Sequence, residues 1–320
     1  MNVALQNVKM HMGPVYDLLL KDDVNDVMIN PDGRVWVESA TGMVCTGHHI
    51  SAEKRILIIQ AMAHLCGRVV TEAQPVCTGI LPETHARFMA VIPPACQPNI
   101  TLRLPPREVL TLQHYINTYS MSVEQARVLQ GAVLGHKNII IAGSTGSGKT
   151  SMCNVLLGLL DRSDERIIII EDAGEIQSQN PNRVEIETDD KWLKPKDALK
   201  STLRMRPDRI IMGELLDGQT ALQLLMAWNT GHRGGLTTLH ADSAQLAIYR
   251  FEQLLEMVTQ NISRALIAQA VDVIVFMQRG PMFEGKKTRR VVDVATLDSN
   301  LDARGHYRFE HHLHDTIPQK

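Results

Sequence analysis

One glycine-rich stretch has the residue types and the spacing needed to bind phosphate groups. Residues 138–151 have the sequence NIIIAGSTGSGKTS, which matches G-x-x-x-x-G-K-[ST] between an apolar run and a helical segment. Backbone N–H groups of 144–149, at the beginning of a helix, would form a concave site for the α- and β-phosphates of ATP. Lys149 would reach the β- and γ-phosphates, and the Thr150 hydroxyl would ligate Mg²⁺. The predicted nucleotide-binding residues are Gly143, Ser144, Thr145, Gly146, Ser147, Gly148, Lys149, Thr150 and Ser151.

Glu214 has the position expected of an acid that holds the metal ion. A phosphate-binding loop that hydrolyses nucleotide needs carboxylates for the metal and for the attacking water. In a doubly wound sheet, ligands bind beyond the carboxyl ends of the strands, so residues that follow an apolar run are the informative ones. Glu214 follows the run 209–212, whereas Asp208 precedes this run and is expected at the opposite edge. We therefore assign Mg²⁺ binding to Thr150 and Glu214.

A second pair of acids follows another apolar run. Glu171 and Asp172 come directly after residues 167–170, so one of the two is expected to face the nucleotide. Glu175, a little further along the chain, is an additional candidate. An acid at this place would orient or deprotonate the attacking water. Whether Glu171 or Glu214 is the general base stays open at this point.

Two histidines flank the short apolar run 236–239. His240 follows the run, so we expect it at the nucleotide edge of the sheet, where it would sense the γ-phosphate or its bound water. His232 precedes the run and is expected in a turn or a subunit contact. The two histidines alone suggest a zinc site, but the neighbouring sequence offers no convincing further ligands.

These side chains need a parallel sheet to bring them to one edge. From residue 121 onward, helical segments alternate with near-continuous apolar runs, a pattern typical of a parallel sheet buried on both faces. The predicted strands lie at 138–142, 167–170, 209–212, 236–239 and 271–277. The chain end alternates more and predicts a small antiparallel addition. The histidines of EHHLH (310–314) are expected in a solvated tail, with transition-metal binding as the alternative.

The first third of the chain predicts a smaller mixed α/β domain. Its elements are expected as a hairpin at 26–38, a helix at 51–67 with Ser51 as N-cap, and strands at 86–94 and 99–106. Pro105 and Pro106 mark the start of a linker. The predicted organisation is an N-terminal α/β domain at 1–106, a linker at 107–120 and an ATPase domain at 121–320.

Composition narrows the class of protein. A chain of 320 residues favours two domains, and 44% hydrophobic with 21% charged residues is ordinary for a globular protein. The net charge of −2 gives no overall basic field, so we expect no direct sequence-specific nucleic-acid binding. Five cysteines without a C-x-x-C pair favour small buried side chains in a reducing cytoplasm. No run approaches the roughly 18 apolar residues that span a bilayer.

Four segments resemble, in order and spacing, the boxes that define the type II/IV secretion traffic ATPases. GSTGSGKT, EDAGEI, LRMRPDRIIMGE and TGHRGGLTTLHADS are similar to the Walker A, aspartate, Walker B and histidine boxes. VMINPDGRVWVE and LLMAWNTGH are most similar to the conjugative-transfer branch, the TrbB-like proteins. The resemblance covers almost the whole chain. It implies a RecA-like P-loop ATPase domain with a mainly parallel sheet, preceded by a mixed α/β domain.

The same resemblance implies a function and a setting. It implies a hexameric, Mg²⁺-dependent ATPase that energises a conjugative or type IV secretion system. Its expected partners are further copies of itself and channel proteins at the inner membrane, and its expected location is the cytoplasm, peripheral on the cytoplasmic face of that membrane. Among the residues, Glu171 matches the acid that polarises water, and Glu214 and His240 match the Walker B and histidine-box residues. Arg87 and Arg103 match arginines that approach the γ-phosphate from the N-terminal domain.

One position departs from the family pattern. The Walker B box usually continues as Gly-Glu-x-Arg-Gly, but Leu216 stands where that arginine is expected. The ion pair of that arginine is therefore lost or supplied by another residue, and Arg233 is one candidate.

Two alternatives to a motor stay open. A P-loop kinase for a small acceptor would need an arginine-rich lid, for which DRSDER (161–166) is short. A nucleotide-dependent scaffold with little hydrolysis would fit the missing arginine.

Overall fold

The structure is a computed structural model that describes residues 3–39, 41–105, 110–172, 174–189, 192–283 and 286–314. The chain divides into two compact units, Met1–Arg107 and Glu108–Lys320. Each unit contains one β-sheet with its own apolar core.

The first unit packs helices against an antiparallel sheet. Its elements are α1 (Val3–Met12), α2 (Pro14–Leu18), β1 (Val24–Ile29), β2 (Arg34–Ser39), β3 (Gly42–His49), α3 (Ala52–Leu65), β4 (Val76–Ile80), β5 (Arg87–Val91) and β6 (Asn99–Arg103). The strand order is β3-β2-β1-β6-β5-β4. The predicted hairpin is β1–β2, and Ser51 caps α3 by accepting from the Lys54 N–H at 3.4 Å. The strands β3 and β4 are additions to the prediction.

The second unit has a sheet that is parallel in its centre. Its elements are α4 (Leu112–Asn117), α5 (Val123–Leu134), β7 (Ile139–Gly143), α6 (Lys149–Gly158), β8 (Ile167–Glu171), β9 (Arg183–Glu187), α7 (Pro195–Thr202), β10 (Arg209–Met212), α8 (Gly218–Asn229), β11 (Leu236–Leu239), α9 (Ala244–Glu256), α10 (Arg264–Ala270), β12 (Val273–Phe283), β13 (Lys286–Leu297) and β14 (Phe309–Leu313). The strand order is β14-β13-β12-β7-β11-β10-β8-β9. Strands from β12 to β9 pair in parallel, and β12–β13–β14 pair antiparallel.

The apolar runs are the buried centre of this sheet, which confirms the predicted α/β class. Every residue of β7, β8, β10 and β11 is buried. One apolar cluster covers one face of the sheet and includes Trp228 of α8, which is 1% exposed. A second cluster covers the other face and includes Leu129 of α5 and Leu156 of α6. Because the strands are parallel, their carboxyl ends meet at one edge.

Several local features differ from expectation. The helix α4 lies within residues 107–120, and its Tyr115 is 2% exposed in the core of the second unit. The EHHLH stretch is a strand rather than a tail, because most of it forms β14, where His311 Nδ1 lies 2.7 Å from Oδ2 of buried Asp293. Glu310, His311 and Leu313 are nevertheless exposed, as a solvated segment would be. Cys45 and Cys96 are exposed rather than buried.

The described ranges contain neither a candidate membrane span nor a cluster of metal-ligand side chains. None of the helices there combines the length and apolar composition that a membrane-spanning segment requires. Nor does that part of the chain hold a cluster of three or more His, Cys, Asp or Glu side chains suited to a metal ion.

Candidate nucleotide-binding site

The loop between β7 and α6 has the backbone conformation of an anion cradle. β7 ends at Gly143, and α6 begins at Lys149, so the N-terminal N–H groups of α6 face the loop. Gly146 and Gly148 have φ of 73° and 96°, a left-handed conformation that glycine adopts without a steric penalty. The sequence therefore folds here into a glycine-dependent turn that leads directly into the N-terminus of α6.

Lys149 lies inside this turn. It is 8% exposed, and its Nζ donates to the carbonyl oxygens of Gly143 at 3.1 Å and Ser144 at 3.3 Å. Burial lowers the pKa of Lys149, and the carboxylates of Glu214 and Glu175 oppose that decrease. The ammonium group is thus held at the cradle by neutral oxygens that a phosphate can replace.

Ser147 supplies a further polar group in the cradle. Its side chain is fully buried, and its Oγ has no hydrogen-bond partner in the part of the chain that the structure describes. A Cβ built on Gly143 would lie 2.5 Å from this Oγ, so the loop closes tightly only with glycine there. A buried hydroxyl without a partner costs free energy, which a bound phosphate oxygen would remove. The donor set therefore fits a nucleotide polyphosphate.

His240 links Lys149 to Glu214. Lys149 Nζ and His240 Nδ1 are 3.3 Å apart, and His240 Nε2 lies 2.8 Å from Glu214 Oε1. Glu214 follows β10 and His240 follows β11, which are parallel neighbours. Thr238 joins the two strand ends, because its Oγ1 donates to the Gly213 carbonyl at 2.7 Å. The sequence-predicted edge thus brings a cation, an imidazole and a carboxylate into one chain of contacts.

Glu171 organises the loop that follows its own strand. It is 8% exposed and accepts from the backbone N–H of Glu175 at 3.0 Å and of Ile176 at 3.1 Å. Burial raises the pKa of Glu171 to about 7; the N–H groups of Ile176 and Glu175 oppose the rise, and the charges of Glu175 and Asp172 add to it. A buried carboxyl with a pKa near neutrality has the chemistry of a general base.

Glu175 contributes more to the site than its sequence position suggested. It is one of the two carboxylates that act on the Lys149 ammonium. The loop held by Glu171 carries it there, so it lies several residues beyond the strand end. The sequence pattern favours Glu171 and Asp172 instead, because these two residues directly follow the apolar run.

Two arginines that sequence reasoning missed contact Thr145 of the loop and Ser151 of α6. Arg279 Nη2 donates to the Thr145 carbonyl at 3.2 Å, and Arg289 Nη1 donates to Ser151 Oγ at 3.0 Å. β12 runs beside β7 with Met277 opposite Gly143, so residues after Met277 extend beyond the same edge of the sheet. Arg279 comes two residues after the apolar run 271–277, just as Glu214 comes two residues after the run 209–212. Its position after an apolar run is therefore the signal that could have identified it.

Arg87 and Arg103 belong to the first unit. They lie directly opposite each other on β5 and β6, and Arg103 Nε is 3.0 Å from Oδ1 of Asp26. The sheet therefore places the two guanidinium-bearing residues side by side. Their approach to a γ-phosphate stays a prediction.

The candidate replacement for the missing arginine has another role. Arg233 Nη2 lies 2.6 Å from Oδ2 of Asp272, which also accepts from the Asn138 N–H at the amino end of the β7 region. Arg233 is thus paired with Asp272, and its compensation for Leu216 stays a prediction. Leu216 itself is 64% exposed. His232 lies after α8, with its Nδ1 buried and without a partner among the described residues.

Comparisons with known proteins place this geometry in a family. The family model described as type II/IV secretion system protein matches residues 12–287. The conjugal transfer protein TrbB of Rhizobium radiobacter is 36% identical over 90% of this chain and 88% of that protein. The type IV secretion system protein PtlH of Bordetella pertussis is 30% identical over 90% of this chain and 94% of that protein.

Solved structures agree on the fold. The pilus retraction motor PilT with bound ADP matches with a TM-score of 0.67 and 18% identity, over 94% of this chain and 82% of that one. The chain is therefore a nucleotide-binding ATPase that belongs to the type II/IV secretion system protein family.

Proposed function

We propose that this protein is a Mg²⁺-dependent ATPase that works as a hexameric ring and energises a conjugative or type IV secretion system. The contact chain from Lys149 through His240 to Glu214 is the observation that carries the proposal. It supports the proposal because it brings a cation, an imidazole and a carboxylate together beside the candidate phosphate-binding loop. The similarity to TrbB and PtlH supports the conjugative and secretion setting.

The residues have distinct tasks in this proposal. Thr150 and Glu214 would hold Mg²⁺, which neutralises phosphate charge when bound. Lys149 would leave the carbonyls of Gly143 and Ser144 and bind phosphate oxygens instead. His240 keeps its contact with Glu214 and would then face the γ-phosphate. Catalysis would rest on positioning and charge neutralisation rather than on a covalent step.

Glu171 is the better placed general base. Its pKa near 7 lets it accept a proton at neutral pH, whereas Glu214 is engaged by His240 and assigned to the metal. Glu175, which acts on Lys149, adds negative potential that favours a cation at this place.

In the proposed ring, the first unit would supply arginines to the nucleotide site. Arg87 and Arg103, adjacent on their sheet, would complete the charge around a γ-phosphate. Membrane and channel partners would hold the ring at the cytoplasmic face of the inner membrane.

The proposal is tested with the purified full chain, ATP and Mg²⁺ alone. We expect sustained phosphate release without any acceptor, and a hexamer by native mass measurement in the presence of nucleotide. Phosphate release only after a small-molecule acceptor is added would favour a kinase. Nucleotide binding and ring formation without turnover would favour a scaffold.

A further inference from the structure

Two arginines of the β12–β13 hairpin contact the phosphate-binding loop and the first turn of the helix that follows it. Arg279 contacts the loop at the Thr145 carbonyl, and Arg289 contacts the Ser151 hydroxyl in the first turn of α6. The pair therefore spans the loop from its exposed crest to the beginning of the helix. None of the four family boxes includes either arginine.

The hairpin places the two positive charges directly opposite each other. Arg279 and Arg289 are cross-strand partners in the antiparallel register of β12 and β13. Like charges at directly opposite positions destabilise a sheet. The contacts that the structure gives the two guanidinium groups are to a carbonyl and a hydroxyl, so no carboxylate of the described ranges compensates the pair. An anion bound beside both would remove this repulsion.

The loop is shaped to receive these side chains. A Cβ built on Gly146 would lie 3.0 Å from Arg279 Nη2, and one built on Gly148 would overlap Arg289 Cδ. Both glycines have a left-handed backbone conformation, and the two exposed arginine side chains occupy the space beside them.

The position of Ser151 identifies the anion. In a phosphate-binding loop, the backbone N–H groups of the turn and the helix N-terminus bind the α- and β-phosphates, while the lysine reaches the β- and γ-phosphates and the following hydroxyl holds the metal. Because Lys149 and Thr150 have those last two tasks, the α-phosphate is the one left for the turn that contains Ser151. Arg289 already donates to a hydroxyl in that turn. Exchanging this neutral acceptor for a phosphate oxygen gives a stronger, charge-assisted hydrogen bond.

We propose that Arg289 binds the α-phosphate of the nucleotide and that Arg279 is a positioning residue that holds the crest of the loop through Thr145. This proposal rests on the proposed nucleotide site but adds a fifth element, the β12–β13 hairpin, to the four boxes. It makes the hairpin a determinant of affinity for nucleoside di- and triphosphates.

The test measures Mg-ADP binding to the full chain by calorimetry. Arg289→Gln should raise the Kd for ADP roughly ten- to hundredfold. Arg127→Gln, which removes one charge from an exposed ion pair with Glu124 on α5, should leave it unchanged. The thermal midpoint without nucleotide should equal or exceed that of the unaltered chain, because the like-charge pair is gone. Arg289→Lys, which keeps the charge, should regain part of the affinity.

Three results would overturn the proposal. The first is an unchanged Kd for ADP in Arg289→Gln. The second is a loss of ADP affinity in Arg289→Gln accompanied by a lower thermal midpoint without nucleotide. The third is an ADP affinity of Arg289→Lys that is no higher than that of Arg289→Gln. Arg279→Gln should weaken ADP binding by a smaller factor, and a larger factor would reverse the two roles. If the unaltered chain binds no ADP, the nucleotide site itself fails, which is a different outcome from a site that binds ADP without Arg289.

Discussion

Glu171 couples the chemistry of the site to the stability of the fold. Its pKa in the folded chain is about 7, above the ordinary value of 4.5. Between these two values the folded chain binds more protons than the unfolded chain, so this residue lowers stability as pH rises through the window. The penalty is complete above pH 7 and absent below about pH 4.5.

Glu171→Gln should therefore gain stability relative to the unaltered chain as pH rises. Urea unfolding at pH 5 and at pH 8 gives the free energy of unfolding of the variant minus that of the unaltered chain. This difference should rise by up to about 3 kcal/mol from pH 5 to pH 8. A difference that stays constant over this range would show that Glu171 is ionised at both pH values.

His240 should matter for turnover more than His232. His240 bridges Lys149 and Glu214, whereas His232 lies in the turn after α8. In steady-state phosphate release, His240→Ala should lower kcat about tenfold or more, because the imidazole's contacts with two charged groups, the Lys149 ammonium and the Glu214 carboxylate, are lost. His232→Ala is the matched control and should have a smaller effect. Equal effects would contradict this division of roles.

At the scale of elements, β10 holds Glu214 at one end and is anchored at the other. Arg209 is 1% exposed, and its guanidinium donates to both carboxylate oxygens of Glu165, at 2.6 Å and 3.2 Å. A buried charge pair of this kind is costly to break from one side. The anchor lies at the amino end of the strand, remote from the nucleotide edge.

Arg209→Ala should lower the free energy of unfolding by about 2 to 4 kcal/mol. Arg183→Ala on the edge strand β9, which removes an ion pair with exposed Glu185, should cost less than about 1 kcal/mol. Denaturant unfolding of both variants makes the comparison. A cost for Arg209→Ala no greater than for Arg183→Ala would mean that the pair does not anchor β10.

The strands of the nucleotide domain could be predicted because burial on both faces leaves a continuous apolar run. Edge strands such as β9, with the alternating sequence RVEIE, give no such run and were missed. The same logic found Lys149, Glu214 and His240, which directly follow their strands or lie in the loop motif. Glu175 depends on how the loop after Glu171 folds, and the pairing of Arg279 with Arg289 depends on hairpin register. Neither follows from a local pattern.

At the scale of the whole molecule, the proposed ring would contribute part of each active site. Arg87, in the first unit, is proposed to act on a γ-phosphate held by the second unit of a neighbouring copy. An arginine that completes such a charge cage raises turnover by about 10³-fold or more.

Mixing two inactive variants tests this directly. Arg87→Ala and Lys149→Ala should each have little turnover alone, but mixed rings should regain activity, because some interfaces pair an intact Lys149 with an intact Arg87. Arg34→Ala, an exposed arginine of the same unit paired with Asp32, is the control and should remain active alone. If the two variants form mixed rings but these rings regain no turnover, Arg87 acts on the nucleotide of its own subunit or takes no part in the reaction.

The central claim is that ATP is hydrolysed at the site formed by Lys149, His240 and Glu214. The most direct measurement is steady-state phosphate release with ATP and Mg²⁺ by Lys149→Ala and Glu214→Gln, each checked for unchanged thermal unfolding. We expect no measurable turnover for Lys149→Ala, and retained nucleotide binding with turnover lowered about 10²-fold or more for Glu214→Gln. Turnover of Lys149→Ala at the rate of the unaltered chain would contradict hydrolysis at this site.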